Sequence, residues 1–71
     1  MDAVFLVTEY NPEDGVSMLG VYGDERAAIF RARSRAQDCS FSEPLTETFD
    51  GTVRTFFGND REWAVSRWEV Q

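Results

Sequence analysis

The chain has 71 residues, 13 of them acidic and seven basic, so its formal net charge near pH 7 is −6. All the basic residues are arginines, which leaves no histidine for proton transfer near neutral pH and no lysine amine for a Schiff base. The single cysteine excludes an intramolecular disulfide and a thiolate metal site built from one chain. We expect one domain, residues 1–71, with a small margin of stability. The sequence shows no membrane span and no signal peptide, so we expect a cytoplasmic location.

The first third of the chain predicts a β-hairpin. Residues 3–10, AVFLVTEY, form a β-branched and aromatic run typical of a strand covered on both faces. The turn sequence NPEDG follows at 11–15, where proline presets φ and Asp-Gly suits a left-handed exit. Residues 16–22 return as a second strand, in which Gly20 indicates a bulge or a close approach by a helix.

A helix is predicted over about 25–37, with Asp24 as its N-cap. Mostly small side chains share one stripe of this helix, which would let it lie close on a sheet. The stripe consists of Ala28, Ile29, Ala32, Ala36 and Cys39. Phe30 points nearly the opposite way, and two interpretations are open. Either a C-terminal loop or strand covers it, or it is an exposed anchor beside Arg31 and Arg33, like the aromatic and arginine side chains of interface hot spots.

The second half of the chain predicts a further set of strands. Residues 38–44 read as a loop with Phe41 turned back toward the core, and Asp50-Gly51 is a strong hairpin signal. The predicted strands lie near 45–49, 52–57 and 61–70, with a turn at 58–60. The fold class is therefore α+β: ββα followed by two or three strands, an antiparallel sheet with one helix packed on it.

Catalytic chemistry finds little support in this sequence. Neither base of a nucleophile–base pair is present, and no phosphate-binding glycine motif or EF-hand spacing occurs. The carboxylate pairs Glu13/Asp14 and Asp60/Glu62 fall at predicted turns, where such groups are usually solvated. We expect no catalytic residues, no metal site and no cofactor.

The arginines of the predicted helix raise the question of nucleic-acid binding. Arg26, Arg31, Arg33 and Arg35 follow an N-terminal segment of 25 residues that has six carboxylates and no basic residue. They spread over about 200° of the helix, and a net charge of −6 repels a polyanion. We expect them to pair with carboxylates of the N-terminal hairpin, and we expect no direct nucleic-acid binding.

Three short runs carry a family resemblance: VFLV at 4–7, LGVY at 19–22 and DERAA at 24–28. They resemble a family of small uncharacterised bacterial and phage domains with a strand–hairpin–helix start. The resemblance covers about the first 40 residues. The second half departs from that pattern in its Asp50-Gly51 hairpin and its 61–70 strand. The resemblance implies a fold and no activity, so it assigns no functional residue.

Ten aromatic residues are more than one thin core layer comfortably hides in a chain this short. We therefore expect a non-enzymatic small acidic domain, of bacterial or phage origin, that binds a protein partner, itself as a homodimer, or both, with no membrane contact. One alternative is a nucleic-acid-mimicking inhibitor of a DNA- or RNA-handling enzyme, since a short acidic chain suits a phage-encoded inhibitor. A second alternative is a structural homo-oligomer subunit. The candidate contact residues are Phe30 with Arg31 and Arg33, or the acidic first turn with Glu9, Glu13 and Asp14.

Overall fold

The computed structural model describes residues 3–39, 46–58 and 60–70. Along these residues the chain forms one helix and a single five-stranded sheet in which all neighbouring strands are antiparallel. The elements are β1 (Ala3–Asn11), β2 (Gly15–Tyr22), α1 (Glu25–Cys39), β3 (Thr46–Phe49), β4 (Val53–Gly58) and β5 (Arg61–Glu69). This order confirms the predicted α+β fold, with three strands after the helix.

The element boundaries differ from the predicted ones by one or two residues. The helix continues through Asp38 and Cys39, which were predicted to begin a loop. Residues 40–44 of that predicted loop, including Phe41, lie outside the described residues. Gly58, predicted to begin a turn, is the last residue of β4, where it pairs with Arg61.

The sheet order is β2-β1-β5-β4-β3, so the first and last strands of the chain are neighbours in its middle. Their pairing runs from Ala3 opposite Glu69 to Tyr10 opposite Glu62. Because these strands come from opposite ends of the chain, folding must close a long loop before the centre of the sheet can form.

Both predicted hairpin turns are confirmed, and each is shaped by one side chain. In the first, the Asn11 Oδ1 atom accepts the backbone N–H groups of Glu13 at 2.8 Å and Asp14 at 3.1 Å. Gly15 then leaves the turn with a φ of 79°, a left-handed conformation that glycine adopts without steric cost.

The second turn repeats this device with a carboxylate. Asp50 Oδ1 accepts the N–H groups of Thr52 at 2.9 Å and Val53 at 2.8 Å, and Gly51 has a φ of 101°. These bonds favour the ionised carboxylate and so lower the pKa of Asp50. The bond from Val53 has the largest effect, and the bond from Thr52 has the next largest.

The helix packs on one face of the sheet through the predicted stripe. The carbonyl of Asp24 accepts the N–H of Ala28 at 3.2 Å, which places Asp24 at the start of the helix as predicted. Ala28, Ala32 and Ala36 are fully buried, and Ile29 packs beside them, while the side chain of Cys39 lies outside the described part. The sheet side of the core consists of Phe5, Val7, Phe56, Trp63 and Val65.

Gly20 lies at a β-bulge, which confirms one of the two interpretations predicted for this glycine. The register of β2 against β1 shifts between Val7 and Thr8, which leaves Leu19 as the extra residue. A Cβ added to Gly20 would lie 3.0 Å from Cε2 of Tyr22, so the close neighbour is this ring and not the helix.

The prediction that the first strand is covered on both faces is wrong. Phe5 and Val7 are buried toward the helix, whereas Val4, Leu6 and Thr8 are only half-buried on the other face. The physical reason is the number of layers: α1 covers one face, and no other described element packs on the second face.

Candidate functional site

The face of the sheet that points away from α1 is broad and apolar, and we call it the open face. Side chains alternate along a strand, and paired residues share a face, so the register assigns its members. Its members are Val4, Leu6, Thr8 and Tyr10 of β1, Val16, Met18 and Val21 of β2, Thr46 and Thr48 of β3, Val53, Thr55 and Phe57 of β4, and Glu62, Ala64, Ser66 and Trp68 of β5.

Several large apolar side chains on this face are more than half exposed to solvent. Val16 is 70% exposed, Met18 64%, Trp68 58% and Val21 55%. Exposed apolar residues are normal when they are scattered singly, but a contiguous patch of them marks an interaction site. The open face is therefore the leading candidate site.

Trp68 is held on this face by a bond to its own strand. Its Nε1 atom donates to Ser66 Oγ at 3.1 Å, and both side chains belong to the open face. The single polar atom of the indole is thus satisfied within the chain, while the rings stay exposed opposite Val4. An exposed tryptophan whose N–H already has a partner can be buried by another surface at little polar cost.

The open face carries very little charge. Among the positions that define it, only Glu62 is ionisable with a charge at neutral pH. The acidic residues Glu13, Asp14 and Asp50 lie instead at exposed turns beyond the strand ends. Burying this face would require the desolvation of one carboxylate per copy and of no arginine.

The predicted contact residues of the helix lie on the opposite side of the molecule. Phe30 is 73% exposed on the outer side of α1, so the interpretation that a C-terminal loop or strand covers it is wrong. Among the described residues the strands that follow the helix, β3, β4 and β5, all belong to the sheet, on the other side of α1 from Phe30. Arg31 is exposed beside Phe30 and forms no ion pair within the described ranges.

Arg33, unlike Phe30 and Arg31, makes side-chain contacts with the sheet of its own chain. Its Nη2 atom donates to Glu47 Oε1 at 3.2 Å, and its guanidinium lies 5.5 Å from the centre of the Phe56 ring. Glu47 also accepts a bond from Arg54, whose guanidinium stacks 4.6 Å from the centre of the Phe49 ring. These contacts tie α1 to β3 and β4, and the bond from Arg54, followed by that from Arg33, lowers the pKa of Glu47.

Glu9, predicted beside Glu13 and Asp14 on a contact surface, is instead 8% exposed. Its Oε1 atom accepts the Nε–H of Arg35 at 2.8 Å and the indole N–H of Trp63 at 3.0 Å. The bond from Arg35 lowers the pKa of Glu9 most, burial opposes it, and the bond from Trp63 lowers it further. Glu9 is therefore a structural carboxylate and is not available to a partner.

Strand alternation explains why Glu9 is buried, since it shares the helix-facing side of β1 with Phe5 and Val7. Glu13 and Asp14 do lie in the exposed turn, where Asp14 Oδ2 accepts the Asn11 amide at 3.2 Å. The expected pairing of helix arginines with the N-terminal hairpin is confirmed for Arg35.

The same expectation is wrong for Arg33, which pairs with β3. Sequence reasoning also missed the roles of Glu47, Arg54 and Trp63, because their partners lie on other elements.

The described ranges contain neither a metal-binding cluster nor a membrane-spanning helix. No group of three or more cysteine, aspartate or glutamate side chains there lies close enough to hold a metal ion. The helix in those ranges is neither long nor apolar enough to cross a membrane.

Comparison with known proteins gives no assignment. No protein-family model matches the chain, and no curated protein and no solved structure matches it. The resemblance of the N-terminal runs to small bacterial and phage domains therefore stays a prediction.

Proposed function

We propose that this protein is a non-enzymatic, cytoplasmic protein-binding domain whose contact surface is the open face. The observation that carries this proposal is the contiguous group of exposed apolar side chains on a sheet face without a covering layer. Trp68, Met18 and Val16 lie on that face, and tryptophan is enriched among the residues that dominate binding energy at interfaces.

The size of the face also supports binding to another macromolecule. A strand residue covers about 16 Å² of sheet, from a rise of about 3.3 Å and a strand spacing of about 4.8 Å. The strands have nine, eight, four, six and nine residues, so the face covers on the order of 570 Å² in projection. Protruding side chains raise the accessible area above this value, toward the roughly 800 Å² per partner of a standard interface.

The nucleic-acid-mimic alternative has weaker support from the placement of the carboxylates. Glu9 and Glu47 are each paired with arginines of the same chain. The turn that holds Glu13 and Asp14 and the turn that holds Asp50 lie at opposite ends of the sheet. A mimic needs a row of free charges along one surface, and these two acidic turns are separated by the length of the sheet.

Site-specific photo-crosslinking in cells tests the proposed surface. The photoreactive residue p-benzoylphenylalanine would replace Trp68 on the open face or, as a matched control, Phe30 on the helix. Both positions carry an exposed aromatic side chain, so neither replacement disturbs the core. We expect covalent protein adducts from position 68 and few or none from position 30. Adducts from position 30 alone, or from neither position, would overturn the proposal.

A further inference from the structure

We infer that the occupant of the open face is a second copy of this chain, packed face to face so that the two sheets lie between two outer helices. This inference rests on the proposed function, because it assigns a partner to the same surface. It excludes the outer side of α1, where Phe30 and Arg31 lie, as the dimer contact.

The charge distribution selects this occupant. Each copy has a net charge of −6, so a random approach of two copies is repulsive. The open face is the large surface that is nearly free of charge, with Glu62 as its one carboxylate. A basic partner would find few acidic groups on it to pair with. A surface of matching chemistry is apolar and almost uncharged, and the chain's own open face has that chemistry.

The relief of the face suits a second sheet. Its centre carries a row of small side chains across the three inner strands, Thr8 on β1, Ala64 on β5 and Thr55 on β4, and Ser66 is the next residue of β5 on the same face. Larger side chains, among them Trp68 and Met18, surround this centre. Two sheets pack about 10 Å apart when their side chains interdigitate, and a small centre lets the large side chains of a facing copy enter.

The area is also what a dimer needs. Two faces of on the order of 570 Å² in projection give more than about 1,100 Å² of buried surface once side-chain relief is included. Specific, stable interfaces begin at about 1,200 Å², and an interface between two copies uses the same patch twice.

Sedimentation equilibrium of the purified full chain tests the inference. We expect the wild type to sediment at twice the 8.1 kDa of one chain, with a concentration-dependent return to the monomer on dilution. Trp68→Ser and Met18→Glu should each weaken the dimer by about tenfold or more. Phe30→Ser, which removes an aromatic that is even more exposed than Trp68, should leave the dimer unchanged.

Fold and salt controls complete the experiment. Circular dichroism must show native structure in each variant, and two separate open-face variants guard against one that fails to fold. From about 0.01 M to about 1 M salt, the Debye length falls from about 30 Å to about 3 Å, so the repulsion between two acidic copies is screened and the dimer should hold or tighten.

A wild type that stays monomeric, a dimer that salt dissolves, or a dimer that Phe30→Ser breaks would each overturn the inference. The proposed function fails separately. A monomer that still gives open-face adducts with another protein in cells refutes the second copy alone, whereas the absence of any open-face adduct refutes both.

Discussion

The buried carboxylate of Glu9 offers a sharp test of how the two layers are held together. It links β1 to α1 through Arg35 and to β5 through Trp63. Glu9→Gln keeps the shape of the side chain and an oxygen that can accept the indole N–H, while it removes the charge. We therefore expect loss of stability without loss of the fold.

The magnitude follows from the two bonds. A hydrogen bond to a charged group is worth about 1.5–3 kcal/mol, and removing one partner of a fully buried ion pair costs about 3–5 kcal/mol. Arg35 has a side chain that is 40% exposed, so solvent screens its share of the pair. The retained amide oxygen preserves part of the bond from Trp63. The expected loss in free energy of unfolding is about 1.5–2 kcal/mol.

Urea unfolding measures this loss. The comparison is made in the Trp68→Ser variant, so that dimer formation does not contribute to the measured free energy of unfolding. In Trp68→Ser, Trp63 is the only tryptophan left, so its fluorescence reports on the core directly. Glu13→Gln is the matched control, because Glu13 lies in an exposed turn and its loss should change stability by less than about 0.5 kcal/mol. A Glu9→Gln variant as stable as Glu13→Gln would refute the assignment of Glu9 as a structural carboxylate.

The pH dependence of the same difference isolates the charge. The pKa of Glu9 is lower in the folded protein than its ordinary value of 4.5, so its ionised form stabilises the fold above that pH. As the pH falls below 4.5 and through the folded pKa, this stabilisation is lost, and the wild type should approach Glu9→Gln. Glu47 and Asp50 lose their own stabilisation in the same direction in both proteins. A gap that stays constant at low pH would contradict an electrostatic origin.

Three other substitutions test the packing and the turns. Ala32→Leu should destabilise the fold by about 1–3 kcal/mol in thermal unfolding, because Ala32 is fully buried between helix and sheet; an unchanged melting temperature would contradict the close helix contact. Gly51→Ala should cost about 1–2 kcal/mol in the same assay because of its positive φ, whereas Gly23→Ala, at an open position without that φ, should cost less. Glu47→Gln should cost at most about 1 kcal/mol, since its ion pairs are partly exposed, and the effect should shrink in high salt; a salt-independent loss would argue against an electrostatic contact.

The local features of this fold could be predicted because their causes are local. Asn11 and Gly15 shape the first turn, Asp50 and Gly51 shape the second, and each set lies within four or five residues. The alanine stripe of α1 likewise follows from helical spacing alone.

The features that were missed depend on contacts between distant residues. Glu9 meets Arg35 across 26 positions and Trp63 across 54, and no pattern within β1 reveals either partner. Alternation does place Glu9 on the same face as Phe5 and Val7, and this was the one signal in the sequence from which its burial could have been predicted. The pairing of Arg33 with Glu47 similarly depends on where β3 joins the sheet.

The open face could be predicted only in part from the sequence. The excess of aromatic residues correctly indicated apolar surface beyond one core layer, but the first strand read as covered on both faces. With one predicted helix for one sheet, counting layers would have left a face uncovered. Which residues occupy that face depends on the pairing of β1 with β5, which joins the two ends of the chain.

The most direct measurement of the central claim is an isotope-filtered nuclear Overhauser experiment on a mixture of labelled and unlabelled protein. We predict intermolecular contacts between the Met18 methyl group, the Ala64 methyl group and the Trp68 ring of facing copies, and none to Phe30. Intermolecular contacts confined to Phe30, or a spectrum with none at concentrations where the protein is soluble, would contradict a face-to-face dimer through the open face.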